Sequence, residues 1–323
     1  MQTSHFLAVS DIHDEMNSTP SPWHEGERAL HERIGLADKL ERAGRISLRD
    51  AMPDQHRAFF AELPFVLMGS VDDQDWPWAS LLAGRPGFAS SPDPRRLDID
   101  VMPVPCDPLL AALKPGARVA VLGIELPTRR RNRMNGRVIA VGESGFSIAV
   151  DLSFGNCPQY IHQRDYLAFR PVAMPRREMF QGLPADARAL IEISDTFFVA
   201  SCVPGEGPSH GADISHRGGP AGFLRIDADG AITVPDYSGN RYFNTLGNLA
   251  VNPKAGLLFV DIVNGDVLQL TGRTEILWEG GEVESVPGAE RLWRFFPSHG
   301  QWLRGAMPLR FTAGKIWPLR FAG

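Results

Sequence analysis

The alternation of hydrophobic and polar positions predicts a few short helices. Ala29, Leu30, Ile34 and Ala37 recur near a 3.6-residue period, which predicts a helix over 23–39. Further helices are predicted where an apolar pattern begins at a proline, because the missing proline N–H has no partner in the first helical turn. They cover 52–63, 108–114 and 184–191, and a short helix or loop is predicted at 291–296.

Most of the remaining apolar runs are short, and turn residues separate them. This pattern is typical of strands in a barrel or sandwich. In the first half we predict strands at 65–71, 78–83, 97–101, 118–125, 135–141 and 146–152. In the second half we predict strands at 196–203, 223–226, 231–234, 256–263 and 267–277, with a glycine-dense turn at 217–222. The chain is therefore predicted to be mostly β with short helices.

The second half repeats features of the first in the same order. Pro53 corresponds to Pro184 at an offset of 131, and Phe88 corresponds to Phe223 at 135. The apolar segment 117–126 matches 253–262 at an offset of 136. An offset that drifts this little indicates a tandem pair of small barrels. We predict an N-terminal arm and helix at 1–50, a first barrel at 51–170 and a second barrel at 171–323.

Composition narrows the function classes. The 323 residues suit two domains of ordinary size, and 43% hydrophobic with 22% charged residues is typical of a soluble globular protein. A formal charge of −5 disfavours a general nucleic-acid or membrane role. The three cysteines have no C-x-x-C spacing, and no signal peptide or membrane-spanning run is evident, so we expect a cytoplasmic protein.

The loop from Pro235 to Arg241 is the first candidate site. Ser238, Gly239 and Arg241 place a hydroxyl, a flexible backbone and a guanidinium within four positions. Such a loop suits a phosphate, because backbone N–H groups and a guanidinium can bind its oxygens together. The alternative interpretation is an ordinary polar hairpin end.

Several segments of the second half together resemble the pyridoxamine 5′-phosphate oxidase-like family of FMN-binding split barrels. The resemblance rests on 212–219, Gly222-Phe223, 235–241, 244–248, 252–259 and 270–273, within a strongly covered region at 183–278. It implies two tandem split barrels packed as an internal pseudo-dimer, with FMN in the groove between them. It does not include a recognisable clamp for a phosphorylated substrate, so it does not imply pyridoxamine phosphate oxidation itself.

The resemblance also implies roles for individual residues of the second half. Three would hold the FMN phosphate, namely Ser238, Asn240 and Arg241. Five would line the isoalloxazine, namely Asp213, Ser215, His216, Arg217 and Gly219. Asn244 and Thr245 would lie near the ribityl chain or the phosphate. Two alternatives stay open: Asp213 as a turn cap and His216 as a rim residue.

The first half departs from the family pattern at the phosphate loop. Segment 102–108 has no Gly-Asn-Arg, and its three prolines remove backbone donors. We infer that the first barrel has lost its phosphate site and supplies the opposite wall of the groove. Its candidates are Arg131, Asn132 and Arg133, within the basic run 129–133. The alternative is a solvated charge run, and a nucleic-acid role is disfavoured by the acidic total.

Other notable residues receive structural interpretations. Cys157 has no paired histidine or helix N-terminus nearby in sequence, which favours a packing or cofactor-wall role over a reactive thiol. Trp293, Trp302 and Trp317 are expected to close the barrel core near the C-terminus, with stacking on the flavin ring as the alternative. His24 and His31 lack the H-E-x-x-H pattern, so no metal site is predicted.

The resulting prediction is an FMN-dependent oxidoreductase that acts on a small molecule. Its electron donor would be a separate reductase or NAD(P)H, and a homodimer is compatible with the family. One alternative is a non-catalytic flavin carrier or sensor. Another is a split barrel that binds haem, with His210 or His216 as the axial ligand. The Arg241→Ala change is predicted to weaken FMN binding by about 1.5–3 kcal/mol, the scale of a charge-assisted contact.

Overall fold

The computed structural model describes residues 20–170, 174–312 and 314. Most of the predicted N-terminal arm, and Trp317, lie outside these residues. In the described part of the chain, no helix is both long enough and apolar enough to cross a bilayer.

Seven short helices occur in the described residues. They are α1 Glu25–Arg33, α2 Ala37–Ser47, α3 Asp54–Glu62, α4 Pro108–Ala112, α5 Ala185–Ile193, α6 Asn244–Val251 and α7 Gly281–Glu284. The predicted helix at 23–39 is in fact two helices, α1 and the start of α2. Gly35 separates them, because its φ of +68° is a left-handed conformation that ends a helix. Pro53 and Pro184 occupy the N-cap positions of α3 and α5.

Strands form most of the regular structure. The first half contributes β1 Phe65–Val71, β2 Pro77–Ala83, β3 Ala89–Ser90, β4 Arg96–Ile99, β5 Arg118–Glu125, β6 Arg130–Val141, β7 Phe146–Gly155 and β8 Tyr166–Phe169. The second half contributes β9 Arg176–Gln181, β10 Thr196–Val203, β11 Gly211–Gly218, β12 Arg225–Ile226, β13 Ile232–Tyr237, β14 Lys254–Val260, β15 Val267–Leu277, β16 Ala289–Arg304 and β17 Leu309–Phe311. The predicted mostly-β class is confirmed.

Two large antiparallel sheets have corresponding strand orders. The first runs β2-β1-β5-β6-β7-β4-β3, and the second runs β11-β10-β14-β15-β16-β13-β12. Each strand of the first sheet thus has a counterpart at the same position of the second sheet, and the strand number of that counterpart is higher by nine. Strand β9 pairs with β16 beside the second sheet, and β17 pairs with β8.

Three apolar clusters hold this arrangement together. One fills the first half and includes Phe59 and Phe60 of α3, and another fills the second half around Phe197 and Trp293. The third lies between the two sheets. The sheets approach closely there, since a Cβ on Gly256 would lie 2.3 Å from the Pro77 carbonyl oxygen. Burial of this third cluster joins the halves into one body.

The prediction of a helix or loop at 291–296 is wrong, because these residues lie within the long strand β16. Its charged positions hide the strand pattern. Arg291 and Arg294 extend from β16 to Asp236 and Asp229, each at 2.7 Å, so neighbouring strands and turns neutralise them. Strand β11 was likewise not predicted, because its polar side chains find their partners in the first half of the chain.

Candidate functional site

The candidate site is a cleft between the two halves. The start of β6 and residues 156–160 form one wall, and β11, β13 and the start of α6 form the other. Its empty space is about 870 Å³, open mouth included. Nine predicted site residues line it: Arg131, Arg133, Ser215, His216, Arg217, Asn240, Arg241, Asn244 and Thr245.

Arg133 joins the two walls. Alternate residues of a strand face the same side, so Arg131, Arg133 and Asn135 of β6 share the side that faces β11. The Arg133 guanidinium donates to both carboxylate oxygens of Asp213 at 2.8 Å and to Ser215 Oγ at 2.6 Å. Asn135 Nδ2 also donates to Asp213, at 3.2 Å. Because both charged groups are buried and well hydrogen-bonded, loss of either partner would be strongly destabilising.

Arg131 lies beside Arg133 but has a different environment. No carboxylate of the described chain lies within ion-pair distance of its guanidinium, and its Nη1 lies 3.2 Å from His216 Nδ1. Burial, together with Arg133 and Arg217, lowers the pKa of Arg131 to about 9, so it stays positively charged at neutral pH. Among the described residues, Arg131 is therefore a cleft cation without an anionic partner.

His216 is neutral at physiological pH. Burial, and then Arg131 and Arg217, lower its pKa well below the ordinary value. Because Arg131 donates to Nδ1, the ring proton must be on Nε2. That Nε2 is buried and has no hydrogen-bond partner among the described residues. His216 therefore offers one unused N–H donor.

The opposite side of the cleft holds a chain of ion pairs. Arg291 binds Asp236 and Glu290, each at 2.7 Å, while Arg217 lies 3.8 Å from Asp236. Burial raises the pKa of Asp236, and the two guanidinium groups oppose that rise. Arg241 is bound to Glu290 at 2.8 Å, and 41% of its side chain is exposed. The predicted phosphate arginine thus lies at the rim with a carboxylate already beside it.

The charges of the cleft do not balance. Among the described residues, five arginines line it, and three carboxylates pair with them: Asp236, Glu290 and, through Arg133, Asp213. Five minus three leaves a formal surplus of two positive charges. A dianion would neutralise this surplus.

The start of α6 adds uncharged donors. Its N-cap, Phe243, has a left-handed φ of 58° and provides no side-chain cap. The first N–H groups of a helix lack intrahelical acceptors and carry partial positive charge. Thr245 Oγ1 is buried there and has no partner within the described chain. Unused donors of this kind are typical of anion sites at helix N-termini.

Residues 156–160 form a wall that sequence reasoning described only in part. The Tyr160 ring stacks on Tyr237 with centroids 5.5 Å apart, and its hydroxyl donates to the Ser238 carbonyl at 2.7 Å. Burial raises the pKa of Tyr160 to about 12, so the hydroxyl remains a donor. Cys157 lines the same wall.

Four predicted residues do not line the cleft. Asn132 lies on the opposite face of β6, and the Asp213 side chain is occupied by Arg133. The Gly219 carbonyl accepts from His162 Nε2 at 2.7 Å, and a Cβ on Gly219 would meet the Phe223 ring at 2.5 Å. Gly219 is thus required by Phe223 packing. Ser238 contributes its carbonyl to Tyr160.

Sequence reasoning also missed residues of the cleft. Asp236, Glu290, Arg291 and Tyr160 were not candidates. Asp236 belongs to the quoted loop motif and could have been found there, whereas Arg291 was hidden by the misassigned strand. Trp293 and Trp302 lie in the second core.

The equivalent place between β15 of the second half and β2 of the first half is filled. Strand registers align Gln269 with Arg133 and Ser80 with Ser215, at offsets of 136 and 135. Gln269 Nε2 lies 3.4 Å from Ser80 Oγ and 3.0 Å from Asp107 Oδ2, and all three side chains are buried. Burial raises the pKa of Asp107 to about 6. A buried carboxyl group disfavours an anion at this position.

Comparison with known proteins gives a family match and several partial structural similarities. Residues 183–317 match the family model described as pyridoxamine 5′-phosphate oxidase. Comparison with curated proteins gives no match. A HupZ variant from Group A Streptococcus is similar at 15% identity, over 37% of this chain and 98% of that chain, with a TM-score of 0.30.

Two further solved structures are similar over comparable lengths. HutZ, a heme storage protein from Vibrio cholerae, shows 14% identity over 38% of this chain and 96% of that chain, with a TM-score of 0.28. An FMN-binding protein from Syntrophomonas wolfei shows 15% identity over 35% of this chain and 81% of that chain, with a TM-score of 0.25.

Proposed function

Because the second half of this chain belongs to the pyridoxamine 5′-phosphate oxidase-like family, we propose that the cleft between the two halves binds FMN. The observation that carries the proposal is the surplus of two positive charges in the cleft. A phosphate monoester carries close to two negative charges at neutral pH. The net charge of the whole ligand that the family implies therefore matches the net charge of the whole cleft.

The residues of the cleft fall into two groups in this proposal. The start of α6 with Thr245, together with Asn240 and Arg241 of the preceding loop, would hold the phosphate. Arg131, His216 and Arg217 would face the ring system. The unused donors at His216 Nε2 and Thr245 Oγ1 support this division, because buried donors without partners are uncommon unless a ligand satisfies them.

We propose an oxidoreductase that acts on a small molecule. FMN, when bound, supplies the capacity to accept and release hydride or electrons. The protein would bind and orient it, and the charged Arg131 would stabilise negative charge on the ring. The wall with Tyr160 would limit access of water from one side. The electron donor would be a separate reductase or a nicotinamide nucleotide, and the two barrels of one chain would form the groove that two subunits form in a homodimer of single barrels.

Titration of the purified protein with FMN tests the proposal. We expect quenching of flavin fluorescence that saturates at one FMN per chain. Arg131→Met should raise the Kd by about tenfold to a hundredfold, the range of a lost charge-assisted contact. Arg137→Met is the matched control, because Arg137 lies on the same strand but is 53% exposed and pairs with Asp151. Absence of saturable binding, or equal Kd values for both variants, would refute the proposal.

The two alternative functions, a flavin carrier and a haem protein, would give different experimental results. A flavin carrier would bind FMN but show no turnover with NAD(P)H and an electron acceptor. A haem protein would show a Soret band. The structure disfavours His216 as an axial ligand: ligation through Nε2 needs the proton on Nδ1, but Nδ1 accepts from Arg131. His210 lies outside the cleft, beside Glu25.

A further inference from the structure

The loop at 238–243 contacts the N-terminal helix pair, α1 and α2, which lies about 200 residues earlier in the chain. Tyr242 is the centre of this contact. Its carbonyl accepts from His31 Nε2 at 3.1 Å, and its ring lies 5.0 Å from the Trp23 ring. Ser47 Oγ donates to the Ala43 carbonyl at 2.8 Å, so the Tyr242 hydroxyl donates to Ser47 Oγ at 3.0 Å. The helix pair therefore binds Tyr242 through backbone and side chain.

The same helix pair also binds α6. Asn244, the first residue of α6, hydrogen-bonds to the buried Glu27 carboxyl group at 2.6 Å. The helices cross closely, since a Cβ on Gly26 would lie 2.2 Å from the Gly247 carbonyl oxygen. Contacts at Tyr242 and Asn244 thus fix the loop end and the helix start together.

The loop needs such support because of its backbone conformation. Arg241 and Phe243 have φ values of 60° and 58°, in the left-handed region that is unfavourable for residues with a Cβ. Both side chains line the cleft, whereas Tyr242 between them does not. Tyr242 therefore faces the helix pair while its two neighbours face the cleft. Residues in a strained loop keep such a conformation only when surrounding contacts determine it.

We infer that the N-terminal helix pair positions the anion-binding loop, with Ser47, His31 and Glu27 as positioning residues that do not contact the ligand. This inference rests on the proposed function for the identity of the ligand. The helix pair precedes the first sheet but serves the second. Its role would be to hold the loop and the α6 N-terminus in the binding conformation before the ligand arrives, which lowers the cost of binding.

Removal of one hydroxyl tests the inference. Tyr242→Phe and Ser47→Ala each break the Tyr242–Ser47 contact, and Tyr166→Phe is the control, because the Tyr166 hydroxyl has no partner within the described chain. Two quantities are measured in each protein: the FMN Kd, and the hydrogen-exchange rates of amides 239–245 without ligand. We expect a Kd about threefold to tenfold higher and faster exchange in both single variants. The double variant should add little to either single change.

The two readouts separate this inference from the proposed function. If the unmodified protein does not bind FMN, the proposed function fails, and the exchange rates of the ligand-free protein still decide whether the helix pair holds the loop. If the exchange rates of the variants equal those of the Tyr166→Phe control, the inference is overturned. Normal exchange with a raised Kd would also overturn it, because Tyr242 would then act on the ligand and not on the loop.

Discussion

Glu27 provides a quantitative test of the buried network behind the cleft. Burial raises the pKa of this carboxyl group from 4.5 to about 8, against the lowering effects of hydrogen bonds from Asn244 and the His24 backbone. Between pH 4.5 and about pH 8, the Glu27 carboxyl group is therefore protonated in the folded protein but ionised in the unfolded chain. The contribution of Glu27 to the free energy of unfolding is therefore largest below pH 4.5, falls as pH rises and levels off above about 8.

The size of the effect follows from the same linkage. Each pH unit inside this window corresponds to about 1.4 kcal/mol, so Glu27 loses roughly 3 kcal/mol of stabilisation between about pH 5 and pH 7.5. Glu27→Gln removes the titration and keeps the shape. Its amide can donate to Asn244 once the Asn244 side-chain amide turns its oxygen towards it. The variant should therefore become progressively more stable than the unmodified protein as pH rises.

The assay is urea unfolding of both proteins at several pH values between about 5 and 8. The quantity to compare is the difference in unfolding free energy between the two proteins, because buried histidines change stability with pH in the opposite direction to Glu27. Burial lowers the pKa of His24 to about 4, so the contribution of His24 to the free energy of unfolding increases with pH. Glu25→Gln is the matched control, because the pKa of Glu25 is lowered and its carboxylate does not titrate in this range. A stability difference for Glu27→Gln that does not change with pH would show that Glu27 is charged in the folded protein, and the reasoning would fail.

Two further predictions concern the cleft and the contact between the sheets. Arg241→Ala should weaken FMN binding by about 1 kcal/mol, because Glu290 already binds this exposed guanidinium. This effect is smaller than the one predicted from the sequence. A loss of FMN affinity as large as that of Arg131→Met in the fluorescence titration would contradict the prediction. Gly256→Ala should lower the free energy of unfolding by about 1–3 kcal/mol, because its Cβ would overlap the Pro77 carbonyl, whereas Gly281→Ala, with open space around it, should change little in the same urea experiment.

Local sequence signals predicted the apolar strands well. Strands β5, β10 and β15 have the predicted bounds, because apolar residues fill them and turn residues flank them. Strands β11 and β16 were not predicted as strands, and the reason is the same for both. Their polar residues are satisfied by partners that are distant in sequence, as Asp213 is by Arg133, 80 residues away. A single-sequence pattern reports burial and turns but not such pairing.

The candidate site was predictable to a similar extent. Residues 239–241 of the loop and two members of the basic run, Arg131 and Arg133, line one cleft, although nothing in local sequence requires them to meet. Which arginine lacks a carboxylate could not be predicted, because that depends on where Asp213, Asp236 and Glu290 lie. The role of α1 and α2 was also inaccessible, since Glu27 and Asn244 are 217 residues apart.

The two sheets show how few positions separate an open cleft from a filled one. Strand order and register are shared, so corresponding residues can be compared directly. The second-half counterparts of Arg131 and Arg133 are Val267 and Gln269, and the first-half counterpart of Arg217 is Leu82. Two of these replacements are buried apolar side chains, and Gln269 binds the buried Asp107. An anion would there meet apolar surface and a carboxyl group instead of three guanidinium groups, so the asymmetry of charge is enough to restrict anion binding to one cleft per chain.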